Sequence, residues 1–101
     1  MINHPNRSKN KERAVLVTTS HRGVFFGYAT KTDGAVITLR AARNCLYWSR
    51  ECKGFLGLAA LGPIGDCKVG PPADIEIRDI TCIAEVTNPK AIEYWESAPW
   101  R

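Results

Sequence analysis

The chain has 101 residues, a length that holds one domain whose core buries roughly two thirds of the surface of the unfolded chain. Fourteen Lys and Arg against ten Asp and Glu leave a net charge of +4, which supports an anionic partner without demanding one, because nucleic-acid binders usually carry a stronger basic stripe. No apolar run approaches the roughly 18 residues of a membrane span, and Met1 to Lys11 has no hydrophobic stretch of the secretory kind, so the expected location is the cytoplasm.

Residues 1–12 (MINHPNRSKNKE) are polar and without periodicity, and read as a disordered basic tail ahead of a single small domain over 13–101. Ala14 to Thr19, rich in Val and Leu, forms a first strand, and Ser20 to Gly23 is a tight hairpin turn into a second strand, Val24 to Thr30. Gly27 removes a side chain inside that strand, which signals strong bending or the close approach of another backbone. Asp33-Gly34 favours a hairpin turn with positive backbone angles, so a third strand, Val36 to Arg40, completes a meander.

Two strands then lose their alternation by one residue. Ile37, Leu39 and Ala41 hold one phase before Ala42 and Arg43 lead into Asn44 to Trp48; Ile75 and Ile77 hold another, which resumes after Asp79 at Ile80, Cys82, Ala84 and Val86. A side-chain period of two absorbs such a slip only with an extra residue, so a bulge is expected near Arg78 and Asp79, and with it curvature. The implied fold is mainly β: a small, strongly bent antiparallel β-barrel with a long central loop and a short C-terminal helix.

The loop spans 49–74 and is apolar in its middle, with Phe55, Leu56, Leu58 and Leu61. A loop of this length either packs its leucines over an open end of the barrel or serves as a ligand lid or subunit contact. Its glycines, Gly54, Gly57, Gly62 and Gly65, fit no dinucleotide fingerprint, and the absence of a following Gly-Lys-Ser/Thr excludes a P-loop. After the bent strand, Asn88 is a good N-cap, Pro89 suits the first helical position, Ile92 and Trp95 form one apolar stripe, and Pro99 ends the helix. Trp100 is expected to pack back on the barrel or on a neighbouring subunit.

The four cysteines, Cys45, Cys52, Cys67 and Cys82, include no pair at the two-to-four-residue spacing of a zinc knuckle, so no metal site and no cofactor is expected. Cys82 falls in phase with buried strand residues. Cys52 and Cys67 bracket the loop, where a bridge is geometrically conceivable, but an intracellular address favours reduced structural thiols.

Reactive groups are thin. His4 lies in the tail and His21 in a turn, neither beside a carboxylate and a nucleophile, and the acidic residues are scattered over turns and exposed faces, so no catalytic residue is assigned and a non-enzyme is expected. A binding site is easier to build. Arg40, Arg43, Asn44, Tyr47 and Trp48 fall within one bent element and supply cations for a phosphate, an amide for a base edge and rings for stacking. Arg22, Lys53 and Lys68 join them if the loop folds over that face. The competing reading makes Tyr47 and Trp48 core aromatics covered by the arginine stems.

The element order resembles the small bent barrels of the Sm-like type, with the helix at the opposite end of the chain. Arg22-Gly23-Val24-Phe25-Phe26-Gly27, Ala42-Arg43-Asn44-Cys45 with Tyr47-Trp48, Ile77-Arg78-Asp79-Ile80-Thr81 and Ser97-Ala98-Pro99-Trp100 are similar to a family of small proteins encoded by phages and prophages. That resemblance implies phage biology in a host cytoplasm and transfers no catalytic residue. The expected function is a non-enzymatic homo-oligomer that binds or sequesters a small anionic ligand, such as a nucleotide signal of bacterial immunity. The alternatives are an RNA- or DNA-binding small barrel, or a virion or assembly component with no small ligand.

Overall fold

Four consecutive residues of strand β1 (Arg13–Thr19), namely Ala14, Val15, Leu16 and Val17, are buried, so both faces of this strand lie against apolar neighbours. The computed structural model, which describes residues 12–20 and 23–99, shows why. Strand β1 is flanked by β2 (Val24–Ala29) and by β6 (Ile80–Glu85), and β2 pairs in turn with the long β3 (Ile37–Tyr47). The free edge of β3 takes β5 (Ala73–Ile77) along its first half and β4 (Lys68–Val69) along its second. All pairings are antiparallel. The third strand and the aromatic run after it are thus one strand.

The result is a six-stranded sheet that does not close into a barrel, which corrects the expected architecture within a fold that is mainly β. Closure would need β5 to pair with β6. These are instead two halves of one bent ribbon, which part at Asp79 (φ 58°), one half going to β3 and the other to β1. The expected bend at Arg78–Asp79 is therefore present, but it carries the chain from one margin of the sheet to the other without joining them.

The second bend centres on Ala41 (φ 53°), where β3 shifts register against both β2 and β5. A bulge frees an amide from the ladder, and here the Ala41 N–H donates to Asp74 Oδ1 at 2.9 Å. Gly27 lies beside this bulge. A Cβ there would stand 3.0 Å from Leu39 Cβ and 3.3 Å from Ala42 Cα, so the glycine permits the close backbone approach read from the sequence.

The sheet buries two apolar clusters, one on each face. Val15, Val17, Ile37, Leu39 and Ile77 fill the first, while Leu16, Phe26, Cys45, Leu58 and Trp95 fill the second beneath two helices. Helix α1 (Gly54–Leu61) occupies part of the segment expected to be a long loop, preceded by a 3-10 turn at Arg50–Cys52. Its Leu and Ala content favours a helix, and Gly62 (φ 85°) stops it, its N–H donating to the Leu58 carbonyl. Leu58 is buried, whereas Leu56 is 72% exposed.

Helix α2 (Pro89–Ser97) starts as expected, with Asn88 Oδ1 accepting from the Lys90 N–H, while Asn88 Nδ2 donates to the Ala60 carbonyl and ties α2 to α1. Ala91 and Trp95 are the buried residues of its stripe, and Ile92 is half-buried. Trp95 lies flat on Phe26, with ring centroids 5.2 Å apart and 3° between planes. Cys82, expected inside, is exposed. It shares its strand phase with Ala84 and Val86, which pack into the helix-covered cluster, but it sits nearer the bend, beyond that cover. Residues 1–11, His21, Arg22 and Trp100 lie outside the described residues. No helix among those described is long and apolar enough to cross a membrane.

Candidate ligand site

The bulge at Ala41 fixes the register that brings Arg40 opposite Tyr28. The Arg40 guanidinium carbon stands 4.9 Å from the Tyr28 ring centroid, a cation–π contact, and Tyr28 in turn meets Phe26 edge to face at 5.4 Å. These residues open on a cavity of about 230 Å³, lined by Phe26, Tyr28, Arg40, Ala41, Arg43, Pro72 and Glu96.

Its two arginines behave differently. Arg40 is exposed and grips Glu12, its Nε and Nη2 lying 2.9 Å from the carboxylate oxygens. That hydrogen bond, followed by the carboxylate charge, raises the Arg40 pKa further above its ordinary value. Arg43 is buried. Its Nε donates to the Gly70 carbonyl, Nη1 to those of Trp95 (2.9 Å) and Glu96 (3.2 Å), and Nη2 to that of Ala98 (2.6 Å). Those acceptors include the last carbonyls of α2, where the helix dipole favours a cation. Arg43, expected to meet a ligand phosphate, thus directs its donors at main-chain carbonyls and forms the back wall of the cavity. Arg40 is the cation at its mouth.

The Tyr28 hydroxyl donates to the Glu96 carboxylate, and burial, reinforced by this bond, pushes its pKa well up. With Glu12 on Arg40 and Glu96 on Tyr28, the site is nearly neutral at rest. It becomes positive at its mouth once Glu12 is displaced.

Of the remaining expected ligand residues, those described do not line this cavity. Lys68 faces a second cavity of about 240 Å³ with Leu46, Asp66, Cys67, Val69 and Pro99, and Tyr47, its register partner across β3 and β4, is 52% exposed. Asn44 is half-buried, its carbonyl accepting from the Gly70 N–H at 2.8 Å. Trp48 packs against the helix-covered cluster, in keeping with the core reading of that ring. Lys53 is exposed at the junction of the 3-10 turn and α1, and Arg22 lies outside the described residues. A wider groove of about 650 Å³ runs between the 32–36 turn and the Asp79 bend, and among the described residues its charged lining is Asp33, Asp79 and Arg78, the last 3.6 Å from Glu76.

Sequence reasoning missed Phe26, Tyr28, Pro72, Glu96 and Glu12. For Tyr28 a signal existed, since it lies two residues from Phe26 on one face of a strand whose hairpin leads to Arg40.

Three of the cysteines lie on the helix side. Burial pushes the Cys45 thiol from 9.0 up to about 12 and raises that of Cys67. A folded-state pKa above the unfolded one gives stability that is complete below pH 9.0 and is lost as the pH climbs towards about 12. Tyr28 acts with the same sign. The urea midpoint is therefore expected to fall between pH 8 and about 10.5, and a Cys45→Ala chain to show a shallower fall; equal slopes in the two chains would contradict this account. Among the described residues no group of three or more His, Cys, Asp or Glu is placed to hold a metal ion.

A family model described as a domain of unknown function (DUF6948) matches residues 12–95. No curated protein and no solved structure matches the chain.

Proposed function

The chain belongs to the DUF6948 family, and we propose that it is a non-enzymatic binding protein whose Tyr28–Arg40 cavity takes a small anionic ligand, with a nucleotide as the best chemical fit. The observation that carries this reading is an exposed guanidinium held over an aromatic ring at the mouth of a cavity walled by Phe26, Tyr28 and Pro72. A planar base enters against the ring and proline walls, and its phosphate takes Arg40 from Glu12. Among the described residues of the cavity, the hydroxyl beside a carboxylate is that of Tyr28 on Glu96, and its pKa is pushed up where an activated nucleophile needs it lowered, which favours binding over turnover.

Size bears on assembly. About 230 Å³ falls below the range of roughly 300–1,000 Å³ usual for ligand pockets, so one chain encloses a base or a sugar-phosphate and leaves the rest outside. A homo-oligomer would complete the enclosure. Exposed Leu46 (64%) and Leu56 (72%) supply apolar surface for a second copy. The further step, that the ligand is a nucleotide signal of host immunity sequestered by a phage protein, stands on the resemblance of the sequence motifs to phage-encoded proteins.

Calorimetric titration with adenosine 5′-monophosphate tests the site. Arg40→Met is expected to weaken binding about tenfold or more, and Glu12→Gln to strengthen it, with weak dependence on salt. Absence of binding at millimolar nucleotide, or an Arg40→Met chain that binds as well as the parent, would sink the reading. Tight binding of a single-stranded oligonucleotide with a steep salt slope would replace it with a nucleic-acid function. Native mass spectrometry of the protein purified from cells reports the subunit number and any retained nucleotide.

A further inference from the structure

The segment between β3 and β4 brings two thiols together that no part of the candidate ligand site uses. Cys52 ends the 3-10 turn and is fully buried, while Cys67 directly precedes β4 and is half-buried. Their sulfurs are 3.4 Å apart. Both converge on one carbonyl, that of Ile64, with Cys67 Sγ at 3.0 Å and Cys52 Sγ at 3.5 Å, and Cys52 Sγ also lies 3.6 Å from the Gly62 carbonyl. The intervening chain, including the whole of α1, is thus folded so that its two ends meet sulfur to sulfur.

We propose that Cys52 and Cys67 form a redox pair, which a low-molecular-weight disulfide of the oxidised-glutathione class converts to an intramolecular disulfide that staples the α1 segment. Cys67 reacts first because it is the accessible member. Its thiolate attacks one sulfur of oxidised glutathione, the glutathione S–S bond breaks, one glutathione thiolate leaves, and a mixed disulfide remains on Cys67. The Cys52 thiol then loses its proton to solvent and attacks Cys67 Sγ, expelling the second glutathione thiolate. The protein gives up two electrons and two protons, and one oxidised glutathione becomes two reduced molecules.

Closing the pair shortens the sulfur separation from 3.4 Å to a bond of about 2.05 Å, within reach of side-chain rotation and a small shift of the connecting segment. Burial raises the Cys67 pKa, so the thiolate is scarce at neutral pH and the first step accelerates as the pH rises. The distance also separates this pair from the other cysteines: Cys45 Sγ turns to the Tyr47 carbonyl at 3.6 Å, and Cys82 lies exposed on β6.

The test uses the full chain carrying Cys82→Ser, which removes the exposed thiol, incubated with oxidised glutathione at pH 7 and pH 8.5. Intact mass is expected to fall by two hydrogens, faster at the higher pH, with a proteolytic peptide linking Cys52 to Cys67. Tm should rise by about 10 °C or more over the reduced chain. Adding Cys52→Ala should leave a stable glutathione adduct on Cys67, because the resolving thiol is gone. Three results would overturn the proposal: a chain that stays reduced, one that keeps glutathione on Cys67 with Cys52 present, or one that forms a different disulfide. The Cys82→Ser chain decides the matter even where the Cys52→Ala chain folds poorly.

Discussion

Replacing Arg43 with alanine is expected to lower stability by about 3 kcal/mol, because it removes hydrogen bonds from a buried cation and leaves their acceptor carbonyls without a donor. For a domain of this size that corresponds to a Tm lower by about 12–24 °C. The loss falls on carbonyls from three places, Gly70 ahead of β5, Trp95 and Glu96 in the last turn of α2, and Ala98 beyond it. One side chain therefore joins the β4–β5 connection, the sheet and the C-terminal helix. Arg43→Lys keeps the charge at the helix terminus, but an ammonium offers three donors from one atom and does not span these acceptors as a planar fork does. It should recover less than half of the loss. Arg40→Met, which removes an exposed guanidinium from the same strand, should leave the urea midpoint nearly unchanged. If Arg43→Ala unfolds at the parent's urea concentration, the anchoring role assigned to Arg43 is wrong.

The contrast between these two arginines marks the limit of what the sequence discloses. Three positions apart on a regular strand, residues point to opposite faces, and nothing in the local pattern says that Arg40 and Arg43 lie on the same side. They do so because the left-handed Ala41 inserts an extra residue between them. The slip in alternation was legible, placed one residue late at Ala42. Its consequence for the arginines was not, since it depends on which residues of β2 lie opposite. Glu96 enters the cavity from a helix far along the chain, and Glu12 from the edge of a segment read as tail, so neither could be placed beside Tyr28 and Arg40 by spacing.

Strands β1 and β2 were legible as short Val-, Leu- and Phe-rich runs on either side of a turn, and the bent β5–β6 ribbon was legible by its two-residue period. Closure was not. Alternation reports that a face is covered, and here one face is covered by helices where the other is covered by the folding of the sheet itself. Both coverings write the same pattern of apolar residues. Helix α1 was missed for a related reason. Glycine is a poor helix former and obscures a helical period, yet Gly54 opens the helix and Gly62 caps it, while Gly57 lets it pack back on the 3-10 turn, since a Cβ there would overlap the Cys52 carbonyl oxygen at 1.7 Å.

Trp95→Ala is expected to cost about 3–5 kcal/mol, the range for emptying a buried indole site. Trp95 is fully buried and stacks in parallel on Phe26, so truncation leaves a cavity directly beneath the wall of the candidate site. Its indole Nε1–H is also buried without a hydrogen-bond partner among the described residues, which costs the folded state about 1–3 kcal/mol. The two effects oppose each other in Trp95→Phe. That change gives up part of the ring volume but removes the unpaired donor and keeps a flat ring against Phe26, so its loss should be less than half that of alanine in urea unfolding. The comparison also reaches the ligand site, because Trp95 seats the turn of α2 whose Glu96 carboxylate holds the Tyr28 hydroxyl. Under conditions where both chains remain folded, nucleotide affinity should fall with alanine and persist with phenylalanine. Equal losses of stability from the two substitutions would sink this account, because a phenyl ring kept against Phe26 would then recover nothing and removal of the unpaired indole proton would bring no relief.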